Sequence, residues 1–349
     1  MTKKAENVIV GISIGDLNGI GSEVVLKTFE DTRMLEMCTP VVFANAKIIS
    51  FIRKMLNVDI HIHGIDSLDH LVYGKFNVLN VWREGVNIEF GVNDENVGKY
   101  AIKSFTAATA ALKNKEIDVL VTAPINKYNI QSEEFKFPGH TDYLDEQLEG
   151  DALMLMVHDN LKVGLLTDHI PVNEVASHLT EELIRKKITT VNQTLKQDFR
   201  VNRPKIAVLC VNPHCGDNGV IGSEDDTVLK PVLRQLFDEG VLTFGPFSAD
   251  GFFGSSAYEK YDAVIAAYHD QGLVPFKTLS FGNGVNYTAG LEGIRTSPDH
   301  GTAYDIAGKG EADFNSFKEA VYLALDIFNN RNDYREITRN PLKTKEKQL

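Results

Sequence analysis

Three apolar runs of the chain each end in a histidine with proline or glycine close behind: VGLLTDHIPV at His169, IAVLCVNPHCG at His214 and AVIAAYHDQGLVPFK at His269. Neutral imidazole is a good ligand for divalent ions, and three imidazoles leave coordination positions open for water or substrate oxygens. The set reads as a candidate metal site, against the alternative that each histidine caps a strand or hydrogen-bonds a loop. Zinc and cobalt accept imidazole readily, whereas magnesium prefers oxygen, so the residues leave the ion open. Downstream, HDQGLVPFK sets Asp270 beside His269 and Lys277 a few positions on, GVNYT supplies Asn286 and EGIRTSPDHGTA supplies Arg295. A lysine and a forked guanidinium near a divalent ion suit a phosphate or a carboxylate. PGHTDYL adds the imidazole of His140 and the hydroxyl of Thr141 in a loop opened by proline and glycine.

Histidines at strand ends imply strands buried on both faces, whose carboxyl ends open into a ligand crevice, as in α/β proteins. VIVGISIGDLNGIGSEVVLKTFED reads as strand, glycine-rich turn and helix, with Ser22 as the expected N-cap and Glu23 suited to the positive helix end. The turn lacks the Gly-Lys-Ser/Thr of a phosphate loop and does not fit GxGxxG. It can bring backbone N–H groups close to an anion, or it is a plain tight turn. Ala101, Phe105, Ala108 and Leu112 follow helical spacing and lead into the strand of DVLVTAPINK, past which stand Asn126 and Lys127. Ile184, Ile188, Val191 and Leu195 mark a helix within residues 180–199, with two glutamates in its first turn. Ser223 is the expected cap of a helix carrying Val228, Val232 and Leu236, with Pro231 in or near its first turns. Strands KIAVLCV and YDAVIAAY follow the two helices. The alternation predicts layered α/β domains with mostly parallel sheets. His61 and His63 alternate onto one face of what reads as an exposed edge strand.

With 349 residues, a sizeable core and two domains are expected. A net charge of −12 argues against a general nucleic-acid surface, which needs clustered cations. No apolar run approaches the roughly 20 residues of a membrane span, and MTKKAEN lacks a signal-peptide core, so a cytoplasmic protein with no membrane partner is expected. Three cysteines without a CxxC pair argue against disulfides and a cysteine-held zinc. The lysine-bearing tail LKTKEKQL reads as a solvated end.

Taken in order, GDLNGIGSEV, VTAPINK, GHTDYL, TDHIPV, NPHCGDNGVIGSED, AAYHDQGLVPFK and NYTAGLEGIRTSPDHGTAYDIAGKGEAD resemble the 4-hydroxythreonine-4-phosphate dehydrogenase family of pyridoxine biosynthesis, over residues 8–313. DHGTAYDIAGKG also resembles the adenosine-binding loop of isopropylmalate and isocitrate dehydrogenases. The resemblance implies two α/β/α domains of the isocitrate/isopropylmalate dehydrogenase type, residues 1–130 plus 280–349 and residues 131–279, with the active site in the cleft between them. It implies a homodimer with shared sites, a divalent metal (Zn, Mg or Co) on His169, His214 and His269, and the third histidine contributed by the partner subunit. Substrate contacts carry over to His140, Thr141, Lys277, Asn286 and Arg295. NAD, or NADP if a cation such as Lys309 meets the ribose phosphate, carries over to Asp299, His300, Gly301, Thr302 and Asp305. The implied reaction oxidises C3 of 4-phosphooxy-L-threonine and releases carbon dioxide to give 3-amino-2-oxopropyl phosphate, with Asp270 as candidate base. Leu17 and Asn18, Ser22, and Asp168 before His169 depart from the family pattern; Asp168 could meet the substrate amine, brace the metal site or bond within its loop. Two rivals stand beside this reading. One is a threonate or erythronate 4-phosphate dehydrogenase, and the other a phosphotransacetylase-like acyltransferase or a non-catalytic binding protein.

Overall fold

The computed structural model describes residues 7–133 and 135–340; the lysine-bearing tail lies outside the described residues. Among them are twelve strands: β1 (Val8–Ser13), β2 (Cys38–Ala44), β3 (Ile62–Ile65), β4 (Phe76–Asn80), β5 (Val119–Thr122), β6 (Gly150–His158), β7 (Leu161–Leu165), β8 (Ile206–Leu209), β9 (Thr243–Phe247), β10 (Ala263–Ala266), β11 (Val285–Leu291) and β12 (Arg295–Pro298). They form a single sheet in the order β3-β4-β2-β1-β5-β12-β11-β6-β7-β10-β8-β9. Neighbours are parallel except at the centre, where β12–β11, β11–β6 and β6–β7 are antiparallel. This is the mostly parallel α/β architecture expected from the alternating strands and helices.

Side-chain alternation along the central strands divides the core into unequal parts. Val285, Tyr287 and Ala289 of β11, with Leu153, Leu155 and Val157 of β6, face one continuous core that runs beneath both ends of the sheet. The Gly21–Glu30, Glu181–Asp198 and Asn315–Thr338 helices contribute Val24, Ile184, Ile188 and Phe317 to it. On the opposite face the core is broken in two. One part gathers Phe105, Ala101 and Leu144 from the Glu95–Lys113 and His140–Gln147 helices. The other gathers Leu273 and Phe276 of the His269–Ser280 helix against Met154, Met156, Val163 and Leu165. The gap between these two cores is where Asn286 of β11 and Arg295 of β12 emerge.

The helices marked by periodicity are present, and Ala101, Phe105, Ala108, Leu112, Ile184, Ile188, Val191 and Leu195 are all buried. Two expected caps are corrected. The first helix begins at Gly21 with Ile20 at the N-cap position, and Ser22 lies inside it, buried with no hydrogen-bond partner for its hydroxyl. The Ile20 N–H instead donates to the Thr302 carbonyl (3.0 Å), so tertiary contact supplies the cap. Ser223 contributes only its carbonyl, which accepts from the Asp226 and Thr227 N–H groups. A π-helical turn, Asp225–Leu229, separates it from the Lys230–Asp238 helix. Pro231 has no N–H to give and crowds the preceding turn, which accounts for the widened winding there.

Candidate active site

Between the two cores of the broken face lies a cleft of about 330 Å³, floored by Met154 and Met156 of β6 and walled by residues from β5, β11 and β12. Five expected substrate residues line it: His140, Thr141, Lys277, Asn286 and Arg295. His169 and His269 line it too, as do Asp299, His300 and Gly301. Strand alternation explains the convergence, because Asn286, Thr288 and Arg295 point to the face opposite Tyr287 and Thr296.

Arg295 is only 2% exposed. Its Nε and Nη2 donate to Thr122 Oγ1 (3.0 and 2.6 Å), Nη1 donates to Thr288 Oγ1 (3.1 Å), and Nη2 also donates to His140 Nδ1 (3.0 Å). Among the described residues no carboxylate pairs with it, and burial alone lowers its pKa to about 9. A guanidinium cannot accept a hydrogen bond, so His140 Nδ1 is the acceptor and the proton sits on Nε2. That Nε2–H is buried with no partner. Burial, then the charges of Arg295 and Lys127, hold the His140 pKa well below the ordinary histidine value, so the ring is a neutral donor. Phe105 packs edge-on to it, ring centroids 4.5 Å apart. The Asn286 side-chain oxygen is likewise buried without a partner. Lys277 pairs with Asp299 (Nζ–Oδ1 3.1 Å), whose pKa is raised by burial against the opposing pull of that lysine. The Arg295 guanidinium, the His140 Nε2–H and the Lys277 ammonium thus bring donors into one small space, beside acceptors at Asn286 Oδ1 and Asp299, which suits a ligand carrying an anionic group.

His169 and His269 stand side by side, ring centroids 5.7 Å apart, one from the segment after β7 and one opening the helix after β10. His269 Nδ1 lies 2.7 Å from Asp270 Oδ1, which leaves Nε2 available as a ligand. Asp270 itself is exposed and does not line the cleft. His214 is elsewhere, exposed on a turn with φ 54° and ψ 26° that is followed by Cys215, Asp217 and Asn218, also at positive φ. Buried Asp225 fixes that turn by accepting from the Val211 and Asn212 N–H groups (2.8 and 3.0 Å) and the Asn212 amide (3.0 Å). Among the described residues no group of three or more His, Cys, Asp and Glu side chains is gathered for a metal ion. Asp168 bonds within its own loop, its Oδ1 3.2 Å from the His169 N–H.

Thr302 and Asp305 lie outside the cleft lining, and Thr302 packs instead against the glycine-rich turn. That turn does not present its N–H groups to an open site. Asp16 N–H donates to the Pro124 carbonyl, Gly19 N–H to the Asp16 carbonyl, and Gly15 (φ 69°) lies so close to Pro124 that a Cβ would stand 2.3 Å from its carbonyl oxygen. Buried Asp16 accepts from the Asn18 N–H, the Asn129 amide (2.7 Å) and the Tyr304 hydroxyl (2.7 Å). The turn is therefore a clamp joining β1, the segment after β5 and residues 299–305. Residue types alone missed this role of Asp16, Asn129 and Tyr304, as well as the threonine seat of Arg295. Thr122 stood in a motif already marked at a strand end, but the other partners gave no sequence signal because they come from distant segments.

The mostly parallel α/β sheet with a cleft beside its centre is a fold shared with a terephthalate 1,2-cis-dihydrodiol dehydrogenase from Burkholderia xenovorans (TM-score 0.61, 23% identity, 92% of this chain and 98% of that one). The family model described as pyridoxal phosphate biosynthetic protein PdxA matches residues 36–324, and the chain belongs to that family. A protein of Bacteroides thetaiotaomicron named 4-hydroxythreonine-4-phosphate dehydrogenase is 46% identical over 97% of this chain and 94% of its own length. A crystal structure of the Klebsiella pneumoniae protein of that name superposes with TM-score 0.79 at 31% identity, covering 94% of this chain and 99% of that one. A relative from Oceanobacillus iheyensis, 33% identical over 94% of this chain and 99% of its length, is provisionally named D-threonate 4-phosphate dehydrogenase. The chain is accordingly an oxidoreductase of the dehydrogenase type.

Proposed function

We propose that the protein oxidises C3 of 4-phosphooxy-L-threonine with NAD as acceptor, and that decarboxylation of the resulting β-keto acid gives 3-amino-2-oxopropyl phosphate in pyridoxal phosphate biosynthesis. The observation that carries this reading is Arg295, a buried guanidinium with no acidic partner among the described residues, which lines a cleft with His140, Lys277 and Asn286. The relatives named 4-hydroxythreonine-4-phosphate dehydrogenase supply the substrate class.

In this reading Arg295 and Lys277 hold the anionic ends of the substrate, His140 donates its Nε2–H, and Thr141 and Asn286 fix its orientation. His169 and His269 fit as two ligands of a divalent ion, and we assign the third to His214 of the partner subunit in a homodimer. Exposed apolar side chains in the segments that follow the histidines support such an interface: Val172, Val220, Val274 and Phe281. When bound, the ion supplies Lewis acidity toward the substrate hydroxyl and NAD or NADP accepts the hydride. We assign Asp270 to orienting His269 rather than to taking the hydroxyl proton, because its carboxylate is engaged on Nδ1 and stands outside the cleft lining. Asp299, His300 and Gly301, with Thr302 and Asp305 behind them, form the proposed cofactor side. Residues 1–130 plus 280–349 and residues 131–279 are the proposed domains. A cytoplasmic enzyme is in keeping with the finding that no described helix is long and apolar enough to cross a membrane.

The relative named for D-threonate 4-phosphate favours a second reading in which a hydroxyl replaces the substrate amine. Steady-state NADH and NADPH formation with both acids, both nucleotides and a panel of divalent ions separates them. A higher kcat/KM for 4-phosphooxy-L-threonine supports the first reading, and preference for the sugar acid replaces it with the second.

A further inference from the structure

The charges that line the cleft do not cancel. Lys277 is matched by Asp299 at 3.1 Å. Arg295 is matched by nothing acidic, and Lys127, in the segment that follows β5, has no ion-pair partner among the described residues. The Lys127 loop is built rather than loose: the Asn126 side-chain oxygen accepts from the Tyr128 and Asn129 N–H groups (2.9 and 3.3 Å), and the Lys127 carbonyl accepts from the Gln131 amide (3.2 Å). Its side chain runs over Gly139, where Cε would lie 3.7 Å from an added Cβ, and so reaches the start of the His140–Gln147 helix. No side chain caps that helix start. One donor there has no partner, the buried Nε2–H of His140, and one charge has no acidic partner among the described residues, the buried guanidinium of Arg295.

We propose that Lys127 is the second cation of a phosphate seat formed with Arg295, His140, Thr141 and the start of the His140–Gln147 helix. The inference rests on the phosphorylated-acid reading above. A phosphate carries more than one negative charge near neutral pH and presents three acceptor oxygens, so a single guanidinium neither balances nor saturates it. Lys127 supplies the missing charge without burial, and Lys277, already paired, is left for the other end of the substrate. Asp142 also lines the cleft, its Oδ2 3.9 Å from the same Cβ position at Gly139, and forms no ion pair among the described residues. It opposes an anion in this seat, so Lys127 is needed the more.

Inorganic phosphate is the probe, with its dissociation constant measured by calorimetry on the full-length protein. Wild type should bind, Arg295→Met should abolish binding, Lys127→Met should weaken it at least tenfold, Lys127→Arg should recover most of it, and Asp142→Asn should tighten it. Thermal melts confirm that each variant is folded. Lys127→Met binding phosphate as tightly as wild type overturns the proposal and leaves the phosphorylated-acid reading standing. No phosphate binding by wild type, or binding that survives Arg295→Met, overturns the seat itself and counts against that reading as well.

Discussion

Arg295 is a buried guanidinium among two threonine hydroxyls and a neutral imidazole, with no acidic partner among the described residues. Desolvating a charge without a partner is unfavourable, and the depressed Arg295 pKa of about 9 is the same penalty seen in protonation. Arg295→Met is therefore expected to leave the ligand-free enzyme as stable as wild type or more so, read by chemical denaturation, while lowering kcat/KM by on the order of 100-fold or more through lost charge-assisted hydrogen bonds. An unstable variant would mean that the hydroxyl contacts, not a ligand, justify the arginine. His140 makes a pH prediction. Its folded pKa lies well below its unfolded value near 6.5, so the unfolded state binds more protons once the pH drops below that value. The contribution to stability is full above about pH 6.5 and declines as the pH falls below it. Comparing melting temperatures at pH 7.5 and 5.5, His140→Gln should lose less on acidification than wild type. Equal losses would remove the neutral-donor assignment.

The elements that hold these residues were unequally legible. Helices with a clear apolar face, such as Glu95–Lys113 and Glu181–Asp198, follow from their periodicity because one face must be buried. Their ends depend on partners. Thr180 and Asp94 cap by side chain, as residue type predicts, but the helix at Gly21 is capped from residue 302 and leaves Ser22 unused. The glycine-rich turn read as a possible anion cradle because glycine permits close approach; the structure shows that the approach is to protein, at Pro124 and Thr302. Gly19→Ala tests that clamp, since its Cβ would meet the Thr302 carbonyl at 2.8 Å and something must shift. If residues 299–305 bind the nucleotide, the KM for NAD should rise roughly 10- to 100-fold in steady-state kinetics, with a much smaller change for the phosphorylated acid. A selective rise for the acid would move the nucleotide elsewhere.

At the scale of the whole molecule, His169 and His269 share a cleft and His214 is exposed outside its lining, so the proposed three-imidazole site calls for His214 from a second copy of the chain. Subunits carrying His169→Ala and His214→Ala, each expected to be inactive alone, should complement when unfolded together and refolded. Half the dimers would be mixed, and each mixed dimer would hold one intact site, so about a quarter of wild-type activity should return. No recovery would mean that His169 and His214 serve each site from the same chain. Sequence by itself determined the alternation of strands and helices, the helical faces that pack, and the residue types able to bind an anion, because periodicity and side-chain chemistry are local properties. Only the tertiary structure decided which of these meet. It broke the core on one face of the sheet, opened a cleft in the gap, and set Arg295 from β12 against Thr122 from β5 and His140 from a separate helix. It also kept His214 apart from His169 and His269, since contacts between distant segments are fixed by packing the whole chain and leave no spacing to read.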